Sequence, residues 1–214
     1  MYFEDRLDAG EKLAREVERR AGRPTIVLGI PRGGVVVGYV IANRLNARLD
    51  VIIARKIGVP GNPELAVAAV AEDGEMAVEE EVATLYGISQ DYIERAAKRE
   101  AEEIRKRVEK FREGRSLPEM SGEDVLIVDD GLATGTTMVA ALKCVKKRLP
   151  RRLVAAAPVA SMEAVMKVRA IADEVVVLLV PEEFFAIGEF YRDFSQISDE
   201  EVVQYLSSLR GCGR

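Results

Sequence analysis

Short apolar runs rich in valine and isoleucine recur along the chain, at Thr25–Ile30, Leu49–Ala54, Val125–Val128, Leu153–Ala157 and Val175–Val180. Each is strand length, and none shows the alternation of a strand with one wet face, so all five read as strands covered on both sides. Between them the period changes. Gly33–Asn46 sets Val36, Val40, Ile41 and Leu45 at helical spacing, Thr136–Leu149 does the same with Val139, Leu142 and Val145, and Ser161–Ile171 supplies a third helix. This alternation predicts an α/β fold with a doubly wound, mainly parallel sheet flanked by helices, its core over residues 23–180. The terminal pieces, 1–22 and 181–214, are expected to pack together as a small hood.

Residues 58–115 interrupt the alternation. Ala66–Ala71 and Met76–Val82 flank Glu72-Asp73-Gly74-Glu75, a turn signal with Asp-Gly at its centre, so 58–83 reads as a hairpin-like flap able to close over a site. After it, Ser89 caps a long helix whose Ile93, Ala97, Ile104, Val108 and Phe111 form one stripe. Glu94/Lys98, Glu102/Lys106 and Glu103/Arg107 are favourable i,i+4 pairs on its wet face, which reads as a solvated cover, with a dimer contact as the alternative. At 214 residues the chain is expected to be one domain carrying this insertion.

Composition removes more chemistry than it adds. With 36 acidic against 31 basic residues the net charge is −5, which disfavours non-specific nucleic-acid binding. The absence of histidine excludes Ser-His, Cys-His and His-ligated metal mechanisms. Cys144 and Cys212 make neither a four-thiolate zinc site nor a disulfide framework; Cys144, in an apolar-periodic stretch, reads as a packed small hydrophobe in a reducing cytoplasm. Glu4, Asp5, Asp8, Glu11, Glu16 and Glu18 are unlike an export signal, and the longest apolar runs are far short of a membrane helix, so no membrane partner is expected.

The informative stretch is Val125-Leu126-Ile127-Val128-Asp129-Asp130-Gly131-Leu132-Ala133-Thr134-Gly135-Thr136-Thr137. A buried strand ends in two adjacent carboxylates, and a loop rich in small and hydroxyl residues then opens into a helix. In an open α/β sheet, ligands bind past the carboxyl end of the strands. The loop N–H groups and the Thr134, Thr136 and Thr137 hydroxyls suit a phosphate, with glycines letting the main chain approach. Carboxylates beside an anion site would repel that anion unless they serve vicinal hydroxyls or a divalent cation that phosphate also ligates. A sugar phosphate meets both demands. Neither G-x-G-x-x-G nor G-x-x-x-x-G-K-[ST] occurs, which excludes those dinucleotide and P-loop sites.

This segment resembles the phosphoribosyl diphosphate (PRPP) binding motif of type I phosphoribosyltransferases, in a form similar to adenine phosphoribosyltransferases. The resemblance implies that Asp129 and Asp130 hold the ribose hydroxyls and bear on Mg²⁺ mostly through PRPP and water, while Gly131, Leu132, Ala133, Thr134, Gly135, Thr136 and Thr137 hold the 5-phosphate. Gly29-Ile30-Pro31-Arg32-Gly33-Gly34 stands where that family has its pyrophosphate loop, so Pro31, Arg32, Gly33 and Gly34, with Arg55 and Lys56 just past the second strand, are the implied pyrophosphate ligands. Asp129, Asp130, Arg32 and Lys56 are the implied catalytic set. The segment 180–194 looks like the hood of purine-salvage enzymes, which makes Phe184, Phe185, Ala186 and Ile187 the implied base contacts. Phe190 and Phe194 read instead as docking the tail.

Together with Phe3-Glu4-Asp5-Arg6, the arrangement also resembles a family of stand-alone phosphoribosyltransferases over nearly the full chain. The implied function is transfer of the 5-phosphoribosyl group from Mg-PRPP to a nitrogen acceptor, a nucleobase with purine favoured, by a homodimeric enzyme. The alternatives are a PRPP-sensing regulator on the same fold and a related ribose-phosphate hydrolase. Two departures bear on substrate: Ala133 stands where hypoxanthine-guanine enzymes carry a carboxylate, and Gly131 replaces the usual branched apolar residue after the acids.

Overall fold

The computed structural model describes residues 2–210, so Cys212 lies outside the described residues. Five parallel strands form the main sheet in the order β2-β1-β6-β7-β8: β1 (Ile26–Gly29), β2 (Arg48–Val51), β6 (Asp124–Val128), β7 (Arg152–Val159) and β8 (Glu174–Leu179). Side chains alternate between its two faces. Val27, Leu126, Val154 and Val176 join one core with helices α1 (Arg6–Ala21), α2 (Gly33–Leu45) and α7 (Asp199–Arg210). Ile26, Val125, Ile127 and Ala155 join the other with α5 (Thr136–Lys146) and α6 (Met162–Arg169). The five apolar runs are strands because both of their faces are covered.

The second apolar run divides. Its first half is β2, but the chain then leaves the sheet, and β3 (Ala54–Val59) starts a separate antiparallel sheet with β4 (Asn62–Ala71) and β5 (Met76–Val78). Ile52 and Ile53 between the two strands are fully buried, so no polar residue marks the crossing. Arg55 and Lys56 therefore lie within β3 rather than in a loop past β2.

The flap expectation is corrected too. Ala66–Ala71 of β4 are all buried, and the small sheet rests on α5 and on the long α4 (Gln90–Arg112). Its longest exposed stretch among the described residues is the Pro60–Pro63 turn. The predicted strand at Met76–Val82 stops at Val78, and Glu80–Leu85 forms the short helix α3.

Helix α4 has the predicted stripe and the predicted Ser89 cap, whose hydroxyl accepts from the Tyr92 N–H at 3.2 Å. Glu103, however, pairs with Lys106 one turn on rather than with Arg107.

Helix α1 belongs to the cover of the main sheet, packing Leu13, Ala14 and Val17 against α2 and β8. The segment before it and its first turn, through Arg6 and Ala9, join the tail. Phe3 bridges Tyr191, donating its N–H to the Phe190 carbonyl at 2.8 Å and accepting from the Arg192 N–H at 2.8 Å. Cys144 is buried and reduced, and burial pushes its thiol up to about 12, as a packed small residue requires.

Candidate active site

Strand β6 delivers its two acids to the carboxyl edge of the parallel sheet. Asp130 is buried, and its Oδ2 accepts from Arg6 Nε at 2.7 Å while its carbonyl accepts the Tyr191 hydroxyl at 2.6 Å. The Asp130 N–H donates to Asp129 Oδ1 at 2.9 Å. Burial pushes both carboxyls above the ordinary Asp range. The neighbouring Asp130 charge raises Asp129 further, whereas Arg6 pulls Asp130 back down.

Arg6 is used at two of its nitrogens and on its face. Its Nη1 donates to the Ser195 carbonyl at 2.8 Å, and its guanidinium carbon lies 3.9 Å from the centre of the Phe194 ring. The first turn of the chain and the tail thus hold the second acid jointly.

The Gly29–Gly34 segment runs beside this pair, with a cis peptide at Pro31–Arg32. A Cβ on Gly33 would fall 1.8 Å from Asp130 Oδ2, and one on Gly34 would fall 2.7 Å from the Val128 carbonyl oxygen. Glycine is needed here for close approach of α2 to the acids. A cavity of about 640 Å³ opens at this place, lined by Arg32, Lys56, Asp129 and Asp130 among others. The structure therefore brings the whole expected catalytic set to one cavity. Arg55 also lines it, with its guanidinium engaged by Glu100 of α4.

A second cavity of about 210 Å³ is lined by the 131–137 loop and shares Lys56, Asp129 and Thr137 with the first. The expected residues line it, but the Leu132 N–H is spent on the Val159 carbonyl and two of the hydroxyls are tied up as well. Thr136 is buried and donates to Glu79, so the Thr134 hydroxyl, 2.9 Å from that of Thr136, is left to donate to it. Lys167 of α6 also donates to Glu79. Of the three expected hydroxyl donors, Thr137 is the one that makes no hydrogen bond among the described residues.

Gly131 also has a tertiary reason: a Cβ there would meet Ile187 Cγ2 at 2.4 Å, so the hood side chain fills the volume a branched residue would take.

The hood assignment changes most. Phe185 is 78% exposed, Phe184 stacks on Phe190 at 5.5 Å between ring centres, and neither lines the two cavities. The Ala186 N–H is held by Glu189. Ile187 does line the smaller cavity, and Phe194, expected to dock the tail, lines the larger one. The sequence reading also missed Arg6, Arg107 and Glu79. Arg6 had a signal in the Phe3-Glu4-Asp5-Arg6 segment; Arg107 and Glu79 had none.

The model of the phosphoribosyl transferase domain matches residues 3–194. The chain belongs to that family. A solved structure from Thermus thermophilus, that of TT1426, is 46% identical, with a TM-score of 0.81 over 98% of this chain and 99% of that one. A candidate phosphoribosyl transferase of Mycobacterium tuberculosis is 40% identical over 95% of this chain and 46% of its own length. The chain thus spans about half the length of the curated relatives it matches. A purine phosphoribosyltransferase from Pyrococcus horikoshii is 15% identical, with a TM-score of 0.50 over 92% of this chain and 97% of that one, and shares the fold. The family resemblance carried by residues 125–137 is borne out. Among the described residues, no helix is long and apolar enough to cross a membrane.

Proposed function

We propose that this phosphoribosyl transferase moves the 5-phosphoribosyl group of PRPP to a nitrogen acceptor and releases pyrophosphate. The observation that carries the reading is the acid pair at two adjoining cavities, one with cations and both acids, the other lined by Asp129 and the 131–137 loop. Asp129 and Asp130 take the ribose hydroxyls, the loop N–H groups and Thr137 take the 5-phosphate, and Arg32 and Lys56 face the pyrophosphate. The C1–O bond to pyrophosphate breaks as the acceptor nitrogen forms its bond to C1. Cations offset the charge gathering on the leaving oxygens, and the carboxylates offset the positive charge developing on the ring. Positioning and electrostatics are sufficient, with no covalent nucleophile.

The donor set fits Mg²⁺ of a particular kind. Asp130 is taken by Arg6, so Asp129 is the main carboxylate left, and the other ligands would be phosphate oxygens and water. When bound, the ion supplies charge neutralisation on the diphosphate.

A nucleobase, purine favoured, remains the acceptor class in this reading. Phe194 and Ile187, rather than Phe184 and Phe185, provide its apolar contacts, because they line the cavities. A homodimer in the cytoplasm belongs to the same reading and rests on the family resemblance. The test is a screen of nucleobases and small amines with Mg-PRPP, scoring pyrophosphate and nucleotide product together. A nucleotide formed in step with pyrophosphate is expected; Mg-PRPP binding without turnover on any acceptor would replace the enzyme by a sensor.

A further inference from the structure

Helix α4 crosses the outer side of the larger cavity, and its polar face is not uniformly solvated. Arg95, Lys106, Lys110 and Arg112 each have a carboxylate partner: Asp91, Glu103, Asp199 and Glu72. Lys98, Arg99 and Arg105 have no such partner among the described residues but stand exposed to solvent, whereas Arg107 does not. It is half-buried, lines the cavity, and makes no hydrogen bond or ion pair within 4 Å among the described residues. Burial pushes the guanidinium below its ordinary range and Arg55 adds to that; Asp199 opposes them, with smaller effects from Arg32 against the charge and Glu103 for it.

A half-buried guanidinium with unused donors, lining a cavity beside two more arginines, is placed to receive an anion. The two neighbours are partly committed elsewhere. Arg55 is held by Glu100, from the same helix, and Arg32 has Asp199 at 3.9 Å. Arg107 is thus the arginine of the three with the most donor capacity in reserve.

We propose that Arg107 is a leaving-group ligand, a fixed cation supplied by α4 that binds the diphosphate end of the substrate and stabilises it as the C1–O bond breaks. The assignment rests on the PRPP reading of this cavity. It gives α4 a role beyond covering the small sheet, since Glu100 orients one phosphate-facing arginine while Arg107 supplies another. A rigid helix holds that charge in place before the ligand arrives.

Calorimetric binding of inorganic pyrophosphate and of ribose 5-phosphate, each with and without Mg²⁺, tests this on the wild-type chain and on Arg107→Ala, Arg107→Lys and Arg32→Ala. Loss of the charge-assisted bonds should weaken pyrophosphate at least tenfold in Arg107→Ala, with an intermediate loss in Arg107→Lys and ribose 5-phosphate changed less than about twofold. A thermal melt verifies folding; should Arg107→Ala fail to fold, Arg107→Gln takes its place. Unchanged pyrophosphate affinity in Arg107→Ala, alongside a loss in Arg32→Ala, overturns the role of Arg107 and leaves the PRPP reading standing. Equal losses for both ligands also overturn it, as a structural effect. A wild-type chain that binds neither ligand overturns both.

Discussion

Two buried arginine–carboxylate pairs of this protein are built alike and behave differently. Arg6–Asp130 sits at the carboxyl edge of the parallel sheet, and Arg112–Glu72 joins the end of α4 to the β4–β5 turn. In the first, the guanidinium is used at Nε, at Nη1 and on its face, which draws the acid part of the way back from the upward push of burial and holds it in place. In the second, Arg112 Nε and Nη1 are buried without a partner. Burial outweighs Arg112, Arg148 and the backbone bond from Ile53 there, and Glu72 is pushed up to about 7. The difference teaches that a buried ion pair orients chemistry only when its remaining donors are spoken for; otherwise it is a clasp that titrates.

The sharpest way to break this comparison is Arg6→Ala. It strands Asp130, buried beside Asp129, and should cost about 3–5 kcal/mol in urea unfolding. Arg112→Ala should cost less, because Glu72 can take up a proton near neutrality. An equal or larger loss there removes the distinction.

The next effect is in pH. Glu72 titrates near 4.5 ordinarily and near 7 in the folded chain, so its stabilising contribution is full below 4.5 and is lost as pH rises through about 7. Between pH 5 and 8 this amounts to roughly 2–3 kcal/mol, and Glu72→Gln should flatten the wild-type slope measured by denaturant unfolding.

A smaller change is expected at Asp129, where burial and the Asp130 charge both disfavour the ionised form. Asp129→Asn should leave the melting temperature unchanged or raise it, while Mg-PRPP affinity falls about tenfold or more. Parallel losses in stability and affinity would place Asp129 among structural residues.

The smallest is Tyr191→Phe, which removes one buried hydrogen bond to the Asp130 carbonyl and should cost about 1 kcal/mol by thermal unfolding. A negligible cost would mean that the tail does not help hold the acid pair.

What the sequence made legible follows from range. The five strands were readable because burial on both faces makes each locally apolar, and Asp129–Thr137 because acids, loop and helix start are consecutive. The β2/β3 division was hidden because Val51-Ile52-Ile53-Ala54 stays buried while changing sheets. Glu80–Leu85 was merged with β5 because six residues carry too little periodicity to separate a turn of helix from a strand. Arg6 lies 124 residues from Asp130, and nothing in an amphipathic first helix says which acid its leading arginine meets. Glu79 was invisible for the same reason, being an ordinary acid until folding sets it between Thr136 and Lys167. The aromatic assignment failed because Phe184-Phe185 and Phe190 through Phe194 look alike in sequence, and only packing decides which ring faces the cavity.

The Arg6 clamp has a consequence for the order in which this protein is made. Arg6 leaves the ribosome long before one of its three contacts, the Ser195 carbonyl, which is 189 residues later. The parallel sheet can form once β8 has emerged, yet the acid pair stays half-clamped until residue 195 is out of the exit tunnel. Ligand competence should therefore arrive abruptly and after most of the core, and a nascent chain stalled with β8 outside the tunnel but residue 195 still inside it should be compact but unable to retain PRPP.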